Sequence, residues 1–482
     1  MKTALQGPVR VRFAPSPTGF LHVGGARTAI YNDLLRQNLG GSFILRIEDT
    51  DKARSDEAMT RQIQSALTWI GVEWDEGPFL QSERLPRHRE RAEELLAAGK
   101  AYRCFCTPEL IETQREEAQR KGETFRYPRT CAALTAGETE TRLAGGVPYA
   151  VRFRLPEGNI RFHDLLRGEM DFPQDALDDF ILLRSDGSPT YHMSVVVDDI
   201  DMGITHVIRG DDHLSNTPKH VPLFLALADR VPVFAHLPLI LGPDRKRLSK
   251  RIGSTSVEEF RNEGILAQAL YNFLALLGWA PGEDRELLSR REMIELFTIE
   301  GLNASAAVFD REKLLWMNQQ YILSLPFAEL APQLAPFLAE LGVPTGDPAR
   351  VEAIVDLYRP RAKTLRELAE AVPSFFAESL PYDAEACAKF LADPALPGYL
   401  EALAARFAAV PSFDVPSLDA ALRTLAEELE VKAAALIHPA RMAVSAATGG
   451  PPLFDLIALV GREATARRLG DFVRFLRQAR PA

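Results

Sequence analysis

The chain has 482 residues, 46% hydrophobic and 25% charged, the composition of a water-soluble globular protein with room for about two to four domains. A net charge of −10 excludes indiscriminate nucleic-acid binding by the whole surface, though not a local basic face, and four cysteines exclude a disulfide scaffold. The opening MKTALQGPVRVR has no apolar signal core and the apolar run 269–280 is too short for a bilayer, so the chain reads as cytoplasmic, with no membrane partner.

In chain order, VRVRF (9–13) alternates apolar and polar residues as a half-buried strand does. From Gly25 the repeat turns helical through Ala26, Ala29, Ile30 and Leu34. SFILRIE (42–48) is a second strand, followed by a helix with Ser55 as N-cap and Met59, Ile63, Leu67 and Ile70 on one face. Strand, helix, strand, helix implies a parallel sheet. From 104 to 189 turn signals crowd in, GG at 145–146 and DGSP at 186–189, around short strands such as YAVRFRL (149–155); this is an insertion. HMSVVVDD (192–199) and THVIRGDD (205–212) resume the parallel sheet. Beyond 327 the chain is helical, with Pro-rich breaks at 394–397 and 450–452. Its tail carries Arg462, Arg467, Arg468, Arg474, Arg477 and Arg480 against Glu463 and Asp471, a local excess of +4 that fits a solvated helix face or a phosphate-contacting end.

The stretch FAPSPTGFLHVGG (13–25) joins the first strand to the first helix. Free amides and the dipole at a helix start favour phosphate, Gly24 and Gly25 admit close approach, and His22, Ser16 and Thr18 add short polar groups. No GxxxxGK or GxGxxG loop is present, so a phosphate site here has to import its cation. DRKRLSKR (244–251) supplies one: Gly242 and Gly253 bracket its five basic residues, although alone it reads as a solvated basic turn.

Together FAPSPTGFLHVGG and RLSKR (247–251) resemble the two signature segments of class I aminoacyl-tRNA synthetases. RIEDTD (46–51), PTYHMSVVVDD (189–199), VIRGDDHLSNTP (207–218), FDREKLLWMN (309–318), RPRAKTL (359–365) and PLFDLIALVGRE (452–463) resemble the bacterial glutamyl-tRNA synthetases over essentially the whole chain. The resemblance implies an α/β fold with a split Rossmann-type parallel sheet as catalytic domain (1–103 and 190–243). It further implies an inserted acceptor-binding domain (104–189), a stem-contact α region carrying the RLSKR loop (244–326) and an all-α anticodon-binding half (327–482). The implied activity is ATP-dependent attachment of L-glutamate to tRNA(Glu) through a glutamyl adenylate, by a monomer, with Mg²⁺ accompanying ATP.

The resemblance assigns catalysis to His22 and Lys250, and ATP binding to Ser16, His22, Gly24, Gly25, Asp212, Arg247 and Lys250. Arg247 stands where the usual KMSKS spelling has a lysine, which keeps the charge but presents a fork. Glutamate recognition falls to Arg12, Ala14, Ser16, Glu48, Tyr191 and Arg209. Arg12 would meet the side-chain carboxylate, Glu48 the ammonium, and a neutral glutamine amide would leave the guanidinium unpaired. Arg361 occupies the position associated with reading the third anticodon base; the alternative is a surface ion pair. Cys104, Cys106 and Cys131 with Tyr127 offer three thiolates and a phenolate for structural Zn²⁺, against three reduced, packed cysteines. A queuosine-type tRNA-glutamylating paralogue would lack the helical half, glutaminyl-tRNA synthetases carry a β-barrel there, and a silent RNA-binding protein has no use for His22, Lys250, Arg12 and Glu48 together.

Overall fold

The computed structural model describes residues 8–50, 56–248, 255–344 and 346–479. Two compact units divide the chain, one made of Met1–Phe260 and Leu270–Arg311, the other of Arg261–Ala269 and Glu312–Ala482.

In the first unit, strands Val9–Phe13, Gly41–Ile47 and Glu76–Leu80 form a parallel sheet in that order, with Val9 opposite Gly41 and Phe13 opposite Leu45. Val11, Ile44, Leu45 and Ile47 are fully buried, as expected of strands covered on both faces. A Cβ at Gly41 would stand 2.1 Å from the Val9 carbonyl oxygen, so the register itself demands glycine there. On the other flank of Val9–Phe13, the Thr205 N–H donates to the Arg10 carbonyl at 2.9 Å. That bond seats strand His206–Gly210, which pairs in parallel with Val233–Leu237. An antiparallel hairpin, Ile160–Asp164 with Gly168–Phe172, joins Val233–Leu237 through Asp164 opposite Phe234. Ala101–Cys104, Ala150–Phe153 and Ile181–Leu183 form a separate antiparallel sheet.

Two local expectations are corrected. HMSVVVDD is not a strand but most of a helix, Tyr191–Asp201. Met193 to Asp199 are all buried, so no polar face discloses the helical period, and the three valines mimic a strand. Parallel strands resume only at His206. The N-cap of helix Glu57–Ile70 is Asp56, whose Oδ1 accepts the Ala58 N–H at 2.8 Å; Ser55 lies outside the described residues. Ile63, Leu67 and Ile70 face inward as the periodicity predicts.

The second unit is helical, from the end of Arg311–Ser324 to Arg462–Gln478, around one core that includes Leu330, Ile354, Leu368, Leu400, Leu422, Ile457 and Phe472. The arginine-rich tail is in part the solvated face expected, with Arg467, Arg474 and Arg477 exposed, and in part a set of ties to other helices. Arg462 donates to the carbonyls of Phe407 and Ala408, where helix Leu396–Ala409 ends. Arg468, 1% exposed, donates to the carbonyls of Val444 (2.7 Å), Ser374 (2.5 Å) and Ala377 (3.2 Å). Arg467 donates to the Glu378 carbonyl, Arg474 pairs with Asp471 and Arg477 with Glu401. Guanidinium groups thus satisfy carbonyls that helix ends leave open. Arg480 lies outside the described residues. Among the described residues no helix is long and apolar enough to cross a membrane.

Candidate active site

A cavity of about 590 Å³ opens where parallel strands of the first unit end. Phe13, Ala14 and Ser16 enter it from the end of Val9–Phe13, and Glu48 from the end of Gly41–Ile47. Asp212 and His213 follow His206–Gly210, and Leu237 to Ile240 follow Val233–Leu237. The carboxyl ends of strands in an open α/β sheet are the usual ligand crevice. Every residue expected to meet nucleotide or amino acid lines this one cavity, apart from Lys250, which lies outside the described residues.

His22 caps helix Val23–Leu39. Its Nδ1 accepts the N–H groups of Gly24 (3.1 Å) and Gly25 (3.3 Å), so those amides are engaged by the ring rather than open to a phosphate as expected. An Nδ1 that accepts leaves the proton of the neutral ring on Nε2, as a donor. Burial, then Arg247, lowers the His22 pKa against Asp212, which keeps the ring neutral. A Cβ on Gly24 would lie 3.1 Å from the ring.

Leu241 bridges Arg247 of the basic loop across a tight reversal, and Arg247 lines the cavity. Further along the chain, the Thr255 carbonyl accepts the Val23 N–H at 2.9 Å and the Val257 N–H donates to the Leu21 carbonyl at 2.9 Å.

At the other end of the cavity, charges of both signs are locked together. Arg12, 4% exposed, holds Asp199 through Nε at 3.3 Å. Arg46, fully buried, donates to Asp199 at 2.7 Å and stands 3.6 Å from Glu48 and 3.9 Å from Asp198. Asp198 takes Gln81, Arg84 and His88 as further partners. Burial raises the Glu48 carboxyl to about 7 against the pull of Arg46 and Arg12. Tyr191, raised to about 12 chiefly by burial, stays a phenol. Its hydroxyl lies 3.0 Å from His213 Nδ1 and 3.4 Å from Arg209 Nη1. Burial and then the charge of Arg209 lower His213 to about 4, so it is a neutral neighbour.

Several of these groups carried no assignment from the sequence: Arg46, Asp198, Asp199 and His213. The adjacent pair Asp198–Asp199 closing the apolar run MSVVV was the one available signal, because two carboxylates in a buried segment demand cations.

In the antiparallel sheet region, the sulfurs of Cys104, Cys106 and Cys131 lie within 4.8 Å of one another and form no disulfide. Cys106 and Cys131 sulfurs are 3.6 Å apart, and the Tyr127 hydroxyl stands 3.2 Å from Cys104 Sγ and 3.5 Å from Cys106 Sγ. A tetrahedral ion with bonds of about 2.3 Å to sulfur separates its sulfurs by roughly 3.8 Å, so three thiols and a phenol fit zinc. In the second unit Arg361 is exposed, and no described carboxylate pairs with its side chain. Its charge lowers the pKa of Arg441 after burial does.

Comparison with known proteins matches this arrangement. Residues 8–316 fit the family described as tRNA synthetases class I (E and Q), catalytic domain, and residues 329–473 fit the family described as anticodon binding domain. The chain belongs to the class I tRNA synthetases of the glutamate and glutamine type. Within that class its relatives include a glutamate–tRNA ligase 2 of Koribacter versatilis, 46% identical over 97% of this chain and 98% of the relative. A glutamate–tRNA ligase of Geobacter sulfurreducens is 45% identical over 98% and 99%. The crystal structure of a glutamate tRNA ligase from Elizabethkingia meningosepticum, in complex with its amino acid, superimposes with a TM-score of 0.89 at 33% identity, covering 98% of this chain and all of that one.

Proposed function

We infer that the chain attaches L-glutamate to tRNA(Glu) in two steps. A carboxylate oxygen of glutamate attacks the α-phosphorus of ATP, the bond to the bridging oxygen breaks, and pyrophosphate leaves. The terminal ribose hydroxyl of the tRNA then attacks the carbonyl carbon of the adenylate, and AMP leaves. Neither step uses a nucleophile of the protein, so the side chains act by positioning and by meeting charge as it develops.

His22 donates its Nε2 proton to a phosphate oxygen, and Arg247 and Lys250 meet the charge that collects on the departing pyrophosphate. Mg²⁺ carried in on the ATP substrate would supply Lewis-acid stabilisation of the same charge. Asp212 contacts the ATP ribose. Arg209 and Arg12 take the two carboxylates of glutamate and Glu48 its ammonium, with Ser16, the Ala14 backbone and Tyr191 completing the polar lining. Glutamine has no second carboxylate for Arg12 and is rejected because its neutral amide leaves unmatched the part of the buried guanidinium that Asp199 does not engage. The insertion around 104–189 holds the tRNA acceptor end, with Zn²⁺ on Cys104, Cys106, Cys131 and Tyr127 as its staple. Residues 327–482 read the anticodon, with Arg361 at its third base.

One observation carries the reading: a single cavity is lined at one end by His22 and Arg247 and at the other by Arg12, Glu48 and Arg209. The test is charging of purified tRNA with each amino acid, with Lys250→Ala as control. Glutamate alone is expected to be attached, and Lys250→Ala is expected to lower the rate with glutamate affinity retained. Attachment of another amino acid, or of none, overturns the reading.

A further inference from the structure

Arg209 is held by a chain of buried groups that reaches out of its own strand. Its Nη2 donates to Thr217 Oγ1 at 2.8 Å, and its Nε donates to His236 Nε2 at 3.2 Å. Thr217 Oγ1 lies 2.9 Å from the same His236 nitrogen. On the far side of the ring, His236 Nδ1 is 2.6 Å from Asp164 Oδ2. Asp164, Thr217 and His236 are fully buried, and Arg209 is 5% exposed.

The donors and acceptors can be assigned throughout. Burial alone would raise the Asp164 carboxyl, but the bond and charge of His236 hold it below the usual range. Asp164 is therefore an acceptor, and the proton between it and the ring sits on His236 Nδ1. In the neutral ring Nε2 is then an acceptor. Its one lone pair is shared, in a three-centre contact, by the Arg209 Nε–H and the Thr217 hydroxyl proton, while that hydroxyl oxygen accepts from Arg209 Nη2. The opposite tautomer would set an Nε2–H against the Arg209 Nε–H. With Nε and one Nη2 proton committed, Nη1 turns toward Tyr191, at 3.4 Å, and the cavity.

We propose that His236, with its tautomer fixed by Asp164, is a positioning residue for glutamate: it aims the Arg209 guanidinium at a substrate carboxylate. Asp164 comes from the hairpin 160–172, His236 from strand Val233–Leu237 and Thr217 from helix Thr217–Ala228, so three elements set the guanidinium carried by a fourth, His206–Gly210. A group built this way is pre-organised, and losing its orienting partner weakens substrate capture without touching the reacting atoms.

The inference rests on the placement of Arg209 in the glutamate site, which Arg209→Lys tests separately by raising KM for glutamate. The experiment is ATP–pyrophosphate exchange by the full chain with tRNA present, reading KM for glutamate, KM for ATP and kcat. His236→Leu removes the acceptor and is expected to raise KM for glutamate about tenfold or more, with KM for ATP and kcat little changed. His236→Gln, whose amide oxygen can accept from Arg209, recovers most of that loss. Asp164→Asn, which can donate to Nδ1 and invert the tautomer, behaves like His236→Leu. Folded variants with wild-type KM for glutamate overturn the proposal, as does an equal loss in His236→Leu and His236→Gln. Should His236→Leu not fold, nitrogen NMR of the wild-type ring decides. His236 Nε2 is expected to resonate as an unprotonated acceptor and to shift when glutamate saturates the site. A protonated Nε2 contradicts the proposal. Absence of any glutamate-dependent exchange in the wild type, or an indifferent Arg209→Lys, instead sinks the placement of Arg209.

Discussion

Glu48 shows how one side chain can be tuned against its own resting state. Its carboxyl stands at about 7 in the empty cavity because burial outweighs Arg46 and Arg12. An ammonium requires the carboxylate form, so kcat/KM for glutamate is expected to fall as pH drops below about 7, reporting the free enzyme. Glu48→Gln should activate poorly and show no such limb. For stability the sign is opposite. A carboxyl raised from its ordinary 4.5 favours the fold below that value, and the contribution is lost as pH rises through about 7. Melting at pH 8 should therefore find Glu48→Gln more stable than the parent; equal Tm values would show that Glu48 carries no such strain. Gly24 permits a complementary test. A Cβ there crowds the His22 ring, so Gly24→Ala should lower the exchange kcat by up to about 10²-fold while leaving KM for glutamate in place. Wild-type turnover in that variant would detach His22 from the phosphate.

Among the elements, the turns after strands were the most legible in the sequence. FAPSPTGFLHVGG, RIED and VIRGDD carry their chemistry in contiguous residues, because a strand end and the turn after it are local structures. Asp164 and His236 were not legible. His236 is the one polar residue of VFAHL and Asp164 one of three in IRFHD, and only the sheet register that brings Phe234 beside Asp164 makes them a pair. The helix at Tyr191–Asp201 was misread for a related reason: burial on every side erases the pattern that distinguishes helix from strand. Of the C-terminal arginines, Arg462, Arg467 and Arg468 were legible as charge but not as ties, since their carbonyl partners belong to segments distant in sequence. Replacing Arg468 with leucine strands the carbonyls of Val444, Ser374 and Ala377, an expected loss of about 1–3 kcal/mol. Denaturant unfolding of the full chain measures it, and an unchanged transition would show that these carbonyls find other donors. If the three cysteines and Tyr127 hold Zn²⁺ as proposed, Cys104→Ser should release it and lower the Tm. Purified protein holding less than about half an equivalent of zinc, with no chelator used, would count against the staple.

For the whole molecule, every described residue that lines the cavity belongs to the first unit, and the second carries Arg361 on its surface. Anticodon specificity and amino-acid specificity should then be separable by mutation. Arg361→Gln is expected to increase charging of glutamine tRNA by roughly tenfold, with KM for glutamate unaffected; an unaltered ratio removes Arg361 from tRNA choice. If one cavity seats both reactants end to end, a crystal structure with a non-hydrolysable glutamyl-adenylate analogue will show it. The phosphate is expected beside His22 and Arg247 and the amino-acid carboxylate on Arg12 or Arg209, with the ammonium at Glu48. An analogue bound elsewhere, or seated with its two ends exchanged, would contradict it.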